Sequence, residues 1–506
     1  MSLQHTDGHW VFELEADATI PAEYILLQHY LDTIEPELEE PIARYLRAGQ
    51  GADGGWPLFF GGETDISATV KAYFALKAVG DSPDAPHMQR ARTAILARGG
   101  AQQCNVFTRI MLALWGEVPW RAVPVMPVEI MLLPRWFPFH VEKISYWSRT
   151  VLVPLLVLMA LRPKSRNPRG ITIRELFVEP PEAVRDWISP PISSAVGRGF
   201  VLLDRILRRA EPMFPADPRR RAIEKVVAFV TERLNGEDGL GGIFPAMANA
   251  LMMFDCLGYP REHPYCVAAA TALRKLIVEG ERAYCQPCVS PVWDTALAAH
   301  ALMEVGDARL TPAIRKGMDW LRDRQVLDTA GDWAAARPGL RPGGWAFQYA
   351  NPHYPDLDDT AAVALALNRF DGARYRPAIE RAMEWVLGMQ SRNGGWGSFD
   401  ADNTHYYLNH IPFADHGALL DPPSADVSAR CLGFLAQLGT DPKHPAMAAA
   451  IEYLFAEQEA DGSWFGRWGT NYIYGTWSVL AGLNAAGIDP AAPVIRRAID
   501  WLVSKQ

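Results

Sequence analysis

Several things are scarce in this 506-residue chain, and each scarcity excludes something. Six cysteines are too few for a disulfide scaffold and fit a reducing compartment. Positive charge is in deficit, with 49 Lys+Arg against 58 Asp+Glu and a formal net charge of −9, whereas a nucleic-acid binder is usually basic. The longest apolar run, Val151 to Leu161, is far short of the ~20 residues a membrane-spanning helix needs. The start, Met1 to Trp10, has neither the basic cluster nor the apolar stretch of a signal peptide. No Gly-rich phosphate loop is present. Cys285-Gln-Pro-Cys288 has metal-like spacing, but no second pair or spaced His pair accompanies it, so a buried role is favoured over zinc and no metal is expected. Apolar residues at 49% and charged residues at 21% exclude a mostly disordered chain, and roughly 150 residues per domain suggests two to four domains.

Aromatics are abundant, with 17 Trp, 16 Tyr and 20 Phe, and many of the Trp sit in repeats. Gln, five residues and Trp recur at Gln4–Trp10, Gln50–Trp56, Gln390–Trp396 and Gln458–Trp464, with Gly just before each Trp or one residue further back. A looser copy runs from Gln325 to Trp333, and a decayed one covers Asn235 to Gly242. An amphipathic stretch such as Met383-Glu-Trp-Val386 or Ile451-Glu-Tyr-Leu-Phe455 precedes the later copies, so each reads as a helix stopped by a turn. The Gln can reach backbone groups at helix ends while the Trp packs over the next turn, which makes the motif a clamp without chemistry of its own.

A second repeat opens apolar helices: Asp65-Ile-Ser-Ala68, Trp293-Asp-Thr-Ala296, Asp358-Asp-Thr-Ala361, Asp426-Val-Ser-Ala429 and Tyr474-Gly-Thr-Trp477. Each Ser or Thr is expected at an N-cap or in the first turn. Polar-faced helices thus alternate with wholly apolar ones, which predicts an all-α fold of paired helices arranged as toroids, apolar helices inside. Residues 118–221 break the pattern. They are rich in proline and contain a basic amphipathic stretch, with Phe200, Leu203, Ile206, Leu207 and Ala210 at helical spacing among Arg205, Arg208 and Arg209. A surface helix and a membrane-surface contact both suit that stretch.

Asp356-Leu-Asp358-Asp359 places three carboxylates before an apolar helix. Repulsion and desolvation can hold a proton on such a cluster at neutral pH, ready for a very weak base such as an alkene. The plainer reading is helix capping, which suits Asp65, Asp294 and Asp426. The repeat register puts Asp65, Trp293, Asp358, Asp426 and Tyr474 at one equivalent position, facing one end of a cavity flanked by Trp345, Phe347, Phe399, Trp468 and Tyr472. Acid at one end of an aromatic cavity suits an apolar substrate that becomes a cation, since ring faces stabilise cations.

These residues, with Gly343-Gly-Trp-Ala-Phe-Gln348, Gln286-Pro-Cys-Val-Ser-Pro-Val-Trp-Asp-Thr295 and the Gln–Trp repeats, resemble the squalene-hopene cyclases along essentially the whole chain. The resemblance implies two α/α barrels around a hydrophobic cavity, in a protein that sits on the cytoplasmic face of the cell membrane without crossing it. Residues 1–13 would belong to the first barrel, 14–290 would form the second barrel with the membrane-contacting insert at about 118–221, and 291–506 would form the first, catalytic barrel without its C-terminal part. Squalene would be the partner molecule, with no cofactor, no metal and no nucleic acid; a homodimer is compatible. Asp358 matches the proton donor, Asp356 and Asp359 its acidic neighbours, and Asp426 an acid in the hydrogen-bond network behind it. Trp147, Trp293, Phe347, Gln348, Phe399, Trp468 and Tyr474 match the substrate cavity.

Two positions depart from the family. Arg430 stands where some members carry His; a guanidinium orients a carboxyl but does not relay a proton. Phe244 stands where some carry Gln near the terminating water. The chain opens at a Gln–Trp turn without a preceding helix and closes at Gln506 before a Trp, so an incomplete first barrel is expected, with an inactive toroid that binds lipids or acts as a scaffold as the rival reading. A cyclase for another polyprenoid is a further alternative; a diphosphate-bearing substrate would require basic partners.

Overall fold

The computed structural model describes residues 2–236, 238–469 and 471–506; Glu237, within the decayed repeat, lies outside them. The N-terminal part contains α1 (Thr19–Leu31), α2 (Pro36–Ala48), α3 (Ile66–Val79), α4 (Pro86–Ala97), α5 (Val106–Trp115), α6 (Tyr146–Leu161), α7 (Ala195–Ala210), α8 (Ala216–Glu232), α9 (Phe244–Cys256) and α10 (Pro264–Lys275). The C-terminal part contains α11 (Pro291–Val305), α12 (Thr311–Arg322), α13 (Leu357–Asp371), α14 (Arg376–Gly388), α15 (Ala425–Gln437), α16 (Pro445–Ala456), α17 (Asn471–Ala485) and α18 (Pro493–Val503). Strand among the described residues is limited to three two-stranded hairpins with two residues per strand. The fold is all-α.

The two helix types separate inward and outward. Helices α3 and α13 are buried on nearly every side, whereas α4, α12, α14 and α18 bury one face. The inner row of the C-terminal part runs α11, α13, α15, α17, each packed on the next. Beyond α15, α17 turns Ile473 and Trp477 to solvent. In the N-terminal part α3, α1, α9 and α6 are successive neighbours. The loop before α15 crosses over: Leu408, Phe413, Leu419 and Leu420 join the N-terminal core. The first residues run back along the C-terminal part, with Trp10 N–H donating to Thr295 Oγ1 at 2.9 Å and Phe12 N–H to Asp294 at 2.9 Å.

The Gln–Trp turn is one hydrogen-bond device used five times. The amides of Gln4, Gln50, Gln325, Gln390 and Gln458 each donate to two carbonyls. One belongs to the Gly two before the Trp, the other to the residue after the Pro that opens the next outer helix, as with Gly394 and Ala446 for Gln390 at 2.8 Å each. The indole N–H of Trp56, Trp345, Trp396 and Trp464 caps a carbonyl at the end of the preceding helix. Gly8, Gly54, Gly394 and Gly462 have φ between 90° and 110°, and a Cβ there would strike the next outer helix, at 2.3 Å from the Ala449 oxygen for Gly394.

Three expectations are corrected. Gln325 pairs with Trp345, not Trp333, because an insertion lengthens its turn; Trp333 instead meets Trp385 edge-on at 5.9 Å. None of the repeated hydroxyls is an N-cap, and although Ser67 does lie in the first turn of α3, its place in the repeat falls to Thr69. Thr69, Thr295, Thr360, Ser428 and Thr476 lie further into their helices and accept the backbone N–H of the clamp Trp, at 2.9–3.0 Å. That contact sets the register, and Asp65 is out of it by two residues: Ser67 is equivalent to Trp293, Asp358, Asp426 and Tyr474, while Asp65 is equivalent to Asp356. Asp65 and Asp356 are both N-caps, accepting from Ala68 N–H at 2.8 Å and Asp359 N–H at 2.7 Å.

Candidate active site

Helix α13 begins with the acidic cluster because its N-terminus is assembled by contacts to its neighbours. Asp356 N–H donates to Trp345 C=O at 2.9 Å, and Leu357 N–H donates to Ser398 C=O at 2.8 Å. The Asp356 side chain then caps the first turn. Asp356 and Asp359 are 3% and 2% exposed, and one oxygen of each, Asp356 Oδ2 and Asp359 Oδ1, is buried without a protein hydrogen bond. Burial pushes the Asp356 carboxyl up to about 7. Burial, then the charge of Asp356, pushes Asp359 well above the ordinary carboxylate range. Two such carboxyls cannot both ionise cheaply, so the pair holds a proton at neutral pH.

Asp358 points the other way, with its side chain 16% exposed, and pairs with Arg430 Nε on α15. Burial raises the Asp358 carboxyl and the guanidinium opposes it, leaving the group raised overall. Arg430 also donates to Tyr474 Oη at 2.7 Å and lies 5.1 Å from the Trp293 ring centre. Trp293, Asp358, Arg430 and Tyr474 come from four successive inner helices, so the row of helices brings them together. Asp426, 2% exposed, accepts from Ser424 Oγ at 2.6 Å and from Trp468 N–H at 2.8 Å. It therefore anchors Trp468, and it reaches Asp358 through its charge.

Trp468 is one side of an aromatic cluster. Trp147 lies 5.3 Å from Trp468 and 6.0 Å from Phe399, and Phe399 lies 5.9 Å from Trp468. Tyr146 adds contacts of 4.2 Å to Phe399 and 4.4 Å to Tyr354. Trp147 also borders an apolar cavity of about 360 Å³ whose other walls include Leu26, Ile110, Val151 and Phe244. Phe244 is fully buried there. Phe347 is half-buried, and its carbonyl accepts from Val292 N–H at 3.4 Å. Gln348 is placed as a brace: it accepts from Asn351 at 3.1 Å and packs on Gly242, where a Cβ would lie 2.6 Å from it.

A buried ionic network between the two parts of the chain escaped the sequence reading. Arg149 on α6 bonds Asp400 at 3.1 Å and Asp332 at 3.1 Å, Asp332 also pairs with Arg233 at 2.7 Å, and Tyr354 Oη donates to Asp332 at 2.8 Å. Asp421, fully buried, accepts the N–H groups of Ser398, Phe399 and Asp400 and so fixes the loop carrying Phe399. Among the described residues no cluster of three His, Cys, Asp or Glu could hold a metal. Burial raises the thiols of Cys285 and Cys288, the latter to about 12.

The arrangement is a protonated carboxyl cluster next to an aromatic enclosure, suited to delivering a proton to an apolar molecule and stabilising the cation formed. Comparison with known proteins agrees with that chemistry. The squalene-hopene cyclase N-terminal domain matches residues 1–282, and the squalene-hopene cyclase C-terminal domain matches residues 289–506. A squalene–hopene cyclase from Zymomonas mobilis is 58% identical across 99% of this chain and 78% of its own length. One from Bradyrhizobium diazoefficiens is 56% identical across 100% of this chain and 78% of its own. One from Alicyclobacillus acidocaldarius is 41% identical across 96% and 77%.

Proposed function

The chain belongs to the squalene-hopene cyclase family, and on that premise we infer that it cyclises squalene to hopene and hopanol, with Asp358 as the proton donor. The observation that carries the assignment of the donor is the buried three-carboxyl turn, in which Asp358 alone faces a cation and a less enclosed space while Asp356 and Asp359 hold a proton behind it. Squalene lies with a terminal alkene at Asp358. The carboxyl O–H adds its proton to the alkene, leaving a tertiary cation and an Asp358 carboxylate. Arg430 stabilises that carboxylate, which strengthens the acid. Ring closures carry the positive charge along the chain past the faces of Phe399, Trp468 and Trp147, each able to contribute ~2 kcal/mol when desolvated. Loss of a proton gives hopene; capture of water gives hopanol. The Asp356–Asp359 pair then restores the proton to Asp358, and bulk water restores the pair.

A water-insoluble substrate calls for a membrane contact, and we place it on α7, at the cytoplasmic face. Only Gly197 and Asp204 of that helix are buried, while Val196, Leu202 and Ile206 are 51–58% exposed, with Met213 beyond them at 75%. No described helix is long and apolar enough to cross a membrane. Association as a homodimer on that surface belongs to the same reading.

Asp358→Asn tests the donor. An amide keeps the shape and has no acidic proton, so product formation from squalene should fall at least ~100-fold with thermal stability unchanged. Turnover within a few-fold of the parent would assign the proton to another group.

A further inference from the structure

The apolar cavity bordered by Trp147 has a polar neighbour. A groove of about 1010 Å³ opens beside it, lined by Asp65, Ser67, Arg109, Asp415 and Trp187 among others. Two residues, Asn105 and His416, line both spaces. They stand at the border between the polar groove and the largely apolar cavity, whose wall also carries the Glu23–Lys71 ion pair.

The two sides of that border differ in freedom. Asn105 is fixed: as N-cap of α5 it accepts Thr108 N–H at 3.0 Å, and its own N–H donates to Ser67 Oγ at 3.0 Å. His416 sits on an irregular loop, with Phe107 at 5.1 Å and Phe413 at 6.4 Å from its ring. Its Nδ1 accepts the N–H of Ala418 at 3.2 Å. Burial pushes the imidazole down to about 4, so the ring is neutral, and with Nδ1 accepting, the proton is on Nε2. That Nε2–H is buried and makes no hydrogen bond to any protein group. A buried donor left alone is costly, and water is the partner of the right size at a polar border.

We propose that Asn105 and His416 frame an aperture through which water passes from the groove into the cavity, and that His416 thereby sets how much of the final cation is captured as alcohol. The inference rests on the cyclase reading above. Squalene itself does not use this route, since Asp65, Arg109 and Asp415 would have to be desolvated against hydrocarbon. The water oxygen forms a C–O bond to the terminal tertiary cation, and the resulting oxonium releases one proton to a second water in the groove, giving hopanol. Without that water, a C–H bond next to the cation breaks, its electrons form the alkene, and its proton passes to the Glu23 carboxylate on the cavity wall, giving hopene.

The test is product analysis by mass spectrometry after incubating the detergent-solubilised 506-residue chain with squalene in H₂¹⁸O. His416→Phe keeps an aromatic ring and removes the donor; the hopanol-to-hopene ratio should fall about fivefold, the weight of one ordinary hydrogen bond, with total squalene consumption within about twofold. His416→Ala should raise the ratio, with ¹⁸O in the added hopanol. An unchanged ratio in both variants, with squalene still consumed, overturns the aperture while leaving the cyclase reading intact. A change in the Michaelis constant for squalene at constant ratio does the same, by making the site a substrate route. No cyclised product from the parent chain overturns both.

Discussion

Replacing Arg149 by Met is the sharpest test of how the site is held. The side chain is 3% exposed and makes four protein contacts: Asp400 at 3.1 and 3.3 Å, Asp332 at 3.1 Å and the Ile144 carbonyl at 2.6 Å. Met fills similar space and supplies no donor. Asp332 keeps Arg233 and Tyr354, but Asp400 retains only Asn403 at 3.2 Å among side-chain donors. Removing one partner of a buried ion pair costs about 3–5 kcal/mol, because the other charge stays buried. At roughly 2–4 °C per kcal/mol for parts of this size, the unfolding midpoint should drop by about 10 °C. The pH dependence gives an independent check. Burial already raises the Asp400 carboxyl and Arg149 opposes the rise, so without Arg149 it climbs further. The folded variant then binds a proton that its unfolded chain releases, which favours folding as pH falls. The midpoint gap between parent and variant should therefore be smaller at pH 5 than at pH 8. Differential scanning fluorimetry in one detergent at one scan rate measures both. A drop below about 2 °C, or a gap that widens as pH falls, would refute the account. Product yield should fall as well, since Asp332 orients Tyr354, which stacks on Tyr146 against Phe399.

Three further outcomes follow from the same geometry. Arg430→Gln removes the charge that opposes protonation of Asp358, so the alkaline limb of the squalene turnover profile should move to higher pH while the maximum falls; an unshifted limb would count against the pairing. Gly394→Ala combines a φ of 90° with a Cβ 2.3 Å from the Ala449 oxygen, whereas Gly487→Ala, at φ 77°, meets nothing within 4 Å. The second should cost about 1–2 kcal/mol for its left-handed backbone and the first distinctly more, read as thermal midpoints; equal losses would refute the clamp's tight fit. Leu202→Gln combined with Ile206→Gln should weaken flotation with anionic liposomes while leaving the thermal midpoint within about 2 °C, since both side chains are exposed; unchanged flotation would move the membrane contact elsewhere.

What was legible in the sequence follows the range of the interactions. The Gln–Trp turns show because their loops have constant length, and the Asp356–Asp359 turn shows because its members lie on one turn of backbone. The signal fails where a long-range bond sets the frame. Gln325 keeps its two carbonyl partners, yet the residues inserted before Trp345 hide the spacing, and Trp333, directly after Gly331 and Asp332, stands as a decoy. The two-residue slip at Asp65 arises because Asp-x-Ser and Asp-x-Thr look alike along the chain; only the Thr69 hydroxyl on Trp56 N–H decides which residue faces inward. Arg149 finds Asp332 and Asp400 across separations of 183 and 251 residues, and no local pattern announces such a meeting. Asp400 directly follows Phe399 in sequence, which is the one hint the chain offers.

Arg430 shows why the acid turn needs three carboxyls. A donor to an alkene must hold its proton at rest and yet be a strong acid when the substrate is in place, and these demands conflict in a single isolated carboxyl. Burial alone meets the first and defeats the second, because it penalises the carboxylate left behind. A neighbouring cation alone meets the second and defeats the first, by stripping the proton in advance. Here the two effects act on Asp358 together, and burial is the larger. The permanent charge of a guanidinium means that Arg430 cannot itself return a proton, so the returning proton has to come from another group. Asp356 and Asp359 are the groups placed to do so: each has a buried oxygen with no protein hydrogen bond, and burial, with the repulsion between them, keeps a proton on the pair at neutral pH. A chain with Arg at this position therefore depends more on its acidic pair than one with a titratable His would, and the pair's outlet to water becomes the step that the pH profile of Arg430→Gln reports on.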